Sequence, residues 1–396
     1  MIDLNYNCLF MEKNNLIKLL IFHNTLAEYR VGFFNELNKI CDLMIVFTDY
    51  NLAERVYNNK IDKAEINFKY KILIGNKKSK IKNCLEIIET HNPDWIIIPA
   101  LDDLFSVSLA RKLMKYCHSR DIKVGLFWEK WCWKYNKMPL SRLFKELMQR
   151  FLVSSIIKQC DALITPGRKS AEYLISCGGN INKIYKVHDA SEIKQTNFEN
   201  IYRKYNIDES KKLILFLGRI VFYKGLDNLI HAIASLTEEY KNSHVLLVCG
   251  DGPDRANCEK LKKIYRLNNV IFTGAVPPIE RASYYEQSSV FVLPGRANKG
   301  KIEAWGLSLN EAMQFNNILI STTSVGAAYE LINENNGFII EENSIQELAS
   351  ALLSADQNEM KEKAKVENKK LFMLYNYKNM AKDIIDILNG NGSCIL

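Results

Sequence analysis

Arg219 and Lys224 flank a short loop in GRIVFYKG, and Glu303 and Glu311 stand eight apart in EAWGLSLNEA, on either side of Gly306. A guanidinium donates a planar pair of hydrogen bonds and an ammonium acts as a point charge, so the two cations suit a phosphate-bearing ligand. Preorganised cations at developing negative charge are usually the largest single contribution to catalysis. A carboxylate accepts hydrogen bonds from neighbouring hydroxyls such as those of a ribose or hexose. Two carboxylates about 5–9 Å apart are also the equipment of glycoside hydrolysis. The four residues are therefore read together with the elements that carry them.

Each lies just beyond an apolar, β-branched run. LILFLG (213–218) leads into GRIVFYKG, HVLLVCG (244–250) into GDGPD, VIFTG (270–274) into AVPP, and VFVLP (290–294) into GRANKGKIEAWGLSLNEA; NILIS (317–321) and GFII (337–340) complete the series. The first half shows the same alternation, with strands expected near 16–22, 43–48, 95–100, 122–128 and 162–165 and helices near 33–40, 80–90, 104–119, 141–158 and 168–176. Strands alternating with amphipathic segments predict parallel sheets wrapped by helices. The polar stretch HDASEIKQTNFEN (188–200) marks the break between two α/β units, 1–190 and 191–375, with the closing segment 376–396 free to pack back on the first. In open parallel sheets, ligands bind beyond the carboxyl ends of the strands, where helix N-termini present free N–H groups. Two such domains facing each other would enclose a cleft. Ser308 reads as the N-cap of a helix holding Glu311 near its first turn, with Glu303 in the preceding loop. Gly306, lacking a Cβ, lets backbone approach a ligand.

Taken singly, each motif has an ordinary explanation. GR…KG is a common solvated loop, GDGPD is a common tight turn that does not fit G-x-G-x-x-G, and Asp102–Asp103 reads as a helix N-cap before it reads as a metal site. In this order and spacing, the set resembles the retaining glycosyltransferases of family four (glycosyl transferases group 1), of the bacterial polysaccharide and lipopolysaccharide type. The resemblance runs from LFLGRIVFYKGLDNLI through LLVCGDGPD, FTGAVPP and FVLPG to EAWGLSLNEAM and SVGAAYELINENNGFII. It implies the GT-B fold, two Rossmann-like domains with parallel sheets facing a central cleft. It implies that Arg219 and Lys224 bind the donor diphosphate, that Glu303 contacts the transferred sugar and that Glu311 holds the ribose. Gly218, Gly250, Asp251, Gly274, Val276, Gly306, Leu307 and Ser308 would line the donor site. Both cations are expected on loops facing a solvent-filled cleft. The reaction so implied moves a hexose from a nucleotide-sugar, UDP- or GDP-linked, to a glycan or lipid-linked acceptor. The acceptor attacks on the face from which the diphosphate leaves, without a metal or other cofactor. With one acid committed to the nucleotide, the hydrolase pairing falls away. A nucleotide-sugar 2-epimerase has the same fold but lacks the E-x7-E pair in this context, and a non-catalytic nucleotide-binding partner has no need to keep all four residues.

The first half carries weaker signals. IFHNTLAEYRVGFFNELNK (21–39) resembles the opening strand-loop-helix of the family, placing His23, Tyr29 and Arg30 as acceptor-side candidates. Where the family often has a cleft histidine, this chain has LFWEKWCWKYNK, which offers Glu129 and Trp131 instead. Trp128, Trp131 and Trp133 read equally as a sugar-stacking or lipid-facing platform and as a packed loop. SRLFKELMQRFLVSSIIKQ sets Arg142, Lys145, Arg150 and Lys158 beside a broad apolar face, either an ordinary domain helix or a peripheral attachment to anionic membrane.

Composition excludes several classes. Hydrophobic residues at 47% and charged residues at 25% describe an ordinary folded protein. The net charge of +8 is spread along the chain, which fits a nucleotide or a phospholipid surface and gives no nucleic-acid patch. Ten cysteines without a C-x-x-C pair read as reduced core thiols, and Cys394 sits one place too late for a prenylation box. No apolar run approaches the ~20 residues of a membrane helix. The opening residues lack a basic region followed by a long apolar one, so a cytoplasmic protein is expected, with attachment to the inner face of the membrane as the lipid-facing variant.

Overall fold

The computed structural model describes residues 16–49, 65–132, 138–194, 198–298 and 301–395. Thirteen described strands form two parallel sheets. The first holds β1 (Lys18–His23), β2 (Asp42–Phe47), β3 (Lys69–Ile72), β4 (Trp95–Ile98), β5 (Lys123–Phe127), β6 (Ala162–Thr165) and β7 (Ile184–Lys186), in the order β3-β2-β1-β4-β5-β6-β7. The second holds β8 (Lys212–Leu217), β9 (His244–Cys249), β10 (Val270–Gly274), β11 (Val290–Leu293), β12 (Ile318–Thr322) and β13 (Gly337–Ile340), in the order β10-β9-β8-β11-β12-β13. The described residues fall into two compact units, one of residues up to 127 with 160–162, the other of 128–159 and 163 onward.

The central strands WIII and VFVL are buried at every position, as parallel strands covered by helices on both faces must be. Helices pack both faces of the second sheet. Leu229, Ile230 and Ile233 meet Ile214, Leu246 and Leu352 in one core cluster, whereas Leu309, Ala312 and Met313 meet Leu215, Leu247 and Phe291 in the other. In each sheet the direction of winding reverses once, between β1 and β4 and between β8 and β11. That reversal parts the loops leaving two neighbouring strands and opens a place for a ligand at their carboxyl ends. Arg219 follows β8 and the segment with Glu303 follows β11.

Several local expectations shift. The first helix spans Glu28–Ile40, starting ahead of the residue 33 expected for it. Strands β3 and β7 carry no apolar alternation; β3, KYKI, is an edge strand with only one of its four residues even half-buried, and β7 is three residues long. Asp103 caps the helix Leu104–His118, its Oδ1 accepting from the amides of Phe105 at 2.7 Å and Ser106 at 3.0 Å. The tail returns to β7, where Ile395 N donates to Ile184 O at 3.0 Å. The nine described cysteines are free thiols, seven of them buried.

Candidate active site

Strand β8 ends at Leu217, and the chain then runs through Gly218 and Arg219 into a short turn, Phe222–Lys224, ahead of the helix Leu226–Ser235. Gly218 N donates to Cys249 O at 2.9 Å, and Gly250 N donates to Gly274 O at 2.7 Å, so the three glycines close the ends of β8, β9 and β10 against one another. A Cβ on Gly250 would lie 1.8 Å from Gly218 O, and no side chain fits there. Arg219 is exposed, and its guanidinium has no partner among the described residues. Lys224 departs from the solvent-facing position expected of it. Its side chain is 14% exposed and its Nζ lies 2.9 Å from Glu303 Oε2. The first-motif cation and the first acid of the E-x7-E pair, 79 positions apart, thus form one half-buried ion pair.

Glu303 sits in an extended segment that bridges Val325. The helix that follows spans Leu307–Gln314, and its N-cap is Gly306, at φ 106 with no side-chain cap. The expected cap, Ser308, is instead the second helical residue, and its hydroxyl is buried without a hydrogen-bond partner among the described residues. Gly306 takes the cap because the chain turns there through the left-handed region, which costs a glycine little. Glu311 falls in the second turn, and only 6% of it is exposed. Its Oε1 accepts from Ser191 Oγ at 3.0 Å and its Oε2 from Tyr285 OH at 2.8 Å. Burial, with the Glu311 carboxylate beside it, raises the Tyr285 pKa well above the ordinary value, keeping that phenol a neutral donor. Each carboxylate oxygen has a second lone pair, so two acceptor positions stay open for a ligand's hydroxyls.

The remaining donor-side residues have quieter settings. Asp251 is exposed, accepts from Gly252 N at 2.7 Å and lies 3.4 Å from Arg255 Nη1, so its carboxylate is turned onto its own loop. Val276 and Leu307 are both half-buried against the second core cluster. Ser191 and Tyr285 had no motif to mark them: one comes from the polar stretch between the two sheets, the other from the helix Arg281–Gln287.

The first-half candidates divide between the two units. His23, at the end of β1, places Nδ1 2.7 Å from Thr25 O between the edges of Phe34 and Phe47. Burial, reinforced by the Arg30 cation, lowers its pKa to about 4. Arg30 is itself buried, with its guanidinium 5.4 Å from the Tyr29 ring and 5.7 Å from that of Phe127. Glu129 and Trp131 belong to the second unit. Glu129 is half-buried, its backbone carbonyl accepting from Ser170 Oγ at 2.7 Å. Trp128 and Trp131 are buried, 2% and 5% exposed, which removes both from any open stacking platform; Trp133 lies outside the described residues. No group of three or more described His, Cys, Asp or Glu could hold a metal ion.

Residues 197–372 match the family model for glycosyl transferases group 1. An uncharacterised glycosyltransferase of Methanocaldococcus jannaschii is 26% identical over 233 residues, 58% of each chain. The alpha-monoglucosyldiacylglycerol synthase of Streptococcus pneumoniae is 27% identical over 222 residues, 50% of this chain and 48% of that one. The chain therefore spans about half the length of the curated relatives it matches. Among solved structures, Anabaena HepE in complex with UDP is 12% identical, with a TM-score of 0.74 over 94% of this chain and 100% of that one. The same protein has been solved with UDP-glucose. The fold is GT-B.

Proposed function

We propose that this chain is a glycosyltransferase that moves a hexose from a nucleoside-diphosphate sugar to a glycan or lipid-linked acceptor, with retention at the anomeric carbon and without a metal. One observation carries the reading: the Lys224–Glu303 ion pair joins the loops that leave β8 and β11, the strands between which the second sheet reverses, and Arg219, exposed and without a side-chain partner among the described residues, lies on the same loop as Lys224. Arg219 neutralises the departing diphosphate with a bidentate fork, and Lys224, released from Glu303, adds a point charge. Glu303 is then free to accept from hydroxyls of the transferred hexose, and Glu311 keeps its open lone pairs for the ribose. The family match at 197–372 and the UDP-bound structural neighbour support the same donor class.

The acceptor side favours a lipid-borne substrate. On the helix Leu140–Gln159, Leu140, Phe144, Leu147, Met148 and Phe151 are exposed, at the i, i+4, i+7, i+8 and i+11 spacing of one face, and Lys145 is exposed among them. An exposed apolar stripe with basic flanks suits the interface of an anionic bilayer. No described helix is long and apolar enough to cross one. The deciding experiment incubates the protein with UDP- and GDP-hexoses and a lipid-linked acceptor pool, with and without EDTA, and reads the product anomer by NMR. Transfer with retention in EDTA is expected; inversion, or activity that returns only with Mg²⁺ or Mn²⁺, overturns the retaining or the metal-free part. No transfer and no UDP or GDP binding overturns the whole.

A further inference from the structure

The segment 303–305 is held by its three consecutive carbonyls. Glu303 O accepts from Gly326 N at 3.1 Å and Trp305 O from Ala327 N at 2.8 Å. Ala304 O, between them, accepts from Trp131 Nε1 at 3.0 Å. The Ala304 carbonyl also lies against the 325–327 segment, over Gly326, and its hydrogen-bond donor comes from elsewhere in the chain. The donor that meets Ala304 is a side chain from 173 positions earlier. The indole is fixed in turn. Its ring stands edge-on to Tyr329 at 6.3 Å, and Gly326 leaves room for it, since a Cβ there would lie 1.9 Å from Ala304 O and 3.1 Å from Trp131 Nε1. The preceding residue, Lys130, reaches Glu146 Oε2 at 3.3 Å, and Glu146 is 4% exposed.

We infer that Trp131 is a positioning residue for sugar transfer: its indole N–H fixes the Ala304 carbonyl and thereby aims the Glu303 carboxylate. The inference rests on the proposed role of Glu303 at the transferred hexose. Glu311 and Arg219 lie outside the 303–305 segment, and only Lys224, through its ion pair with Glu303, links the diphosphate to it, so nucleoside diphosphate binding depends on the indole less than sugar transfer does.

The test is Trp131→Phe, which keeps a flat ring and removes the donor. A part-buried carbonyl left without its partner loosens the aim of Glu303, which should cost about ten-fold in kcat, with donor KM changed less. Calorimetric affinity for UDP or GDP, whichever the wild type binds, should stay within about two-fold. Equal kcat in W131F and wild type overturns the inference, and so does a parallel loss of nucleotide affinity, which would make the indole a general structural support. Should W131F fail to fold, Gly326→Ala reads the same carbonyl from the opposite side: its Cβ must displace Ala304 O, and an unchanged kcat there overturns the inference equally. A wild type that transfers no hexose fails the function itself, a result separate from any difference between variants.

Discussion

Arg219 and Lys224 stand five positions apart in one motif, yet their surroundings predict different mutational phenotypes. Arg219 is exposed and unpartnered among the described residues, so Arg219→Ala should leave the melting temperature unchanged. If it stabilises the leaving diphosphate, kcat/KM should fall by at least about 2.7 kcal/mol, the low end for losing an oxyanion donor. Steady-state kinetics beside thermal melts decide this, and near-normal kcat/KM returns Arg219 to an ordinary surface loop. Lys224→Ala instead strands Glu303 in a half-buried position, so activity and stability should fall together. Glu311 makes a sharper case. Glu311→Gln presents an amide N–H₂ to one of two hydroxyl donors, Ser191 or Tyr285. Stability should drop by about 1–3 kcal/mol and nucleoside diphosphate affinity by about 1.5–3 kcal/mol. Tyr285→Phe separates the two effects, since it lowers stability and leaves the carboxylate charge for the ribose; calorimetry showing equal affinity loss in both variants would remove Glu311 from the nucleotide. The E-x7-E spacing was legible in the sequence, but the partners of its second acid were not. Ser191 and Tyr285 lie 120 and 26 positions from Glu311, and no local pattern encodes a contact made by folding.

The elements that position the site were easier to read than their boundaries. Buried strands such as β8, β9 and β11 announce themselves as unbroken apolar runs because both faces are covered. Edge strand β3 is lysine-rich, as an exposed edge that avoids pairing with other chains tends to be, and that composition hides it. The start of the helix after β11 was misplaced because Ser308 has the right chemistry for a cap, while Gly306 has the backbone geometry. The helix Leu140–Gln159 shows the reverse: its basic and apolar residues were legible, but only the fold shows which apolar ones stay exposed. Burying a phenylalanine is worth about 1.5–3 kcal/mol, so Phe144→Ser with Phe151→Ser should lower partition onto anionic vesicles by well over ten-fold. Vesicle sedimentation checks this, with binding of the wild type expected to weaken as salt rises. Equal sedimentation of wild type and variant, or none by the wild type at low salt, removes the lipid surface from this helix.

Two compact units in one chain predict unfolding outside a single two-state transition, and the chemistry described above separates the two. The four residues assigned to the donor all belong to the second unit. A nucleoside diphosphate at a hundredfold excess over its Kd should stabilise that unit by about 2.7 kcal/mol and raise its transition alone. Acid acts on the other unit. His23 and His91 both lie there, and burial lowers the pKa of each, that of His23 to about 4. For His23, between that value and the unfolded pKa near 6.5, the unfolded chain binds a proton that the folded unit refuses, so stability falls as pH falls, by up to about 1.4 kcal/mol per pH unit, and His91 acts in the same direction. Above pH 6.5 both states leave the imidazole neutral, and these groups contribute no slope. Scanning calorimetry at pH 7 and pH 5, with and without UDP or GDP, should therefore show one transition that moves with acid and another that moves with nucleotide. His23→Phe should flatten the acid response of the first and leave the nucleotide response of the second intact. A single transition that responds to both would mean that the units unfold as one, and a nucleotide shift confined to the acid-sensitive transition would put the donor on the wrong half of the chain.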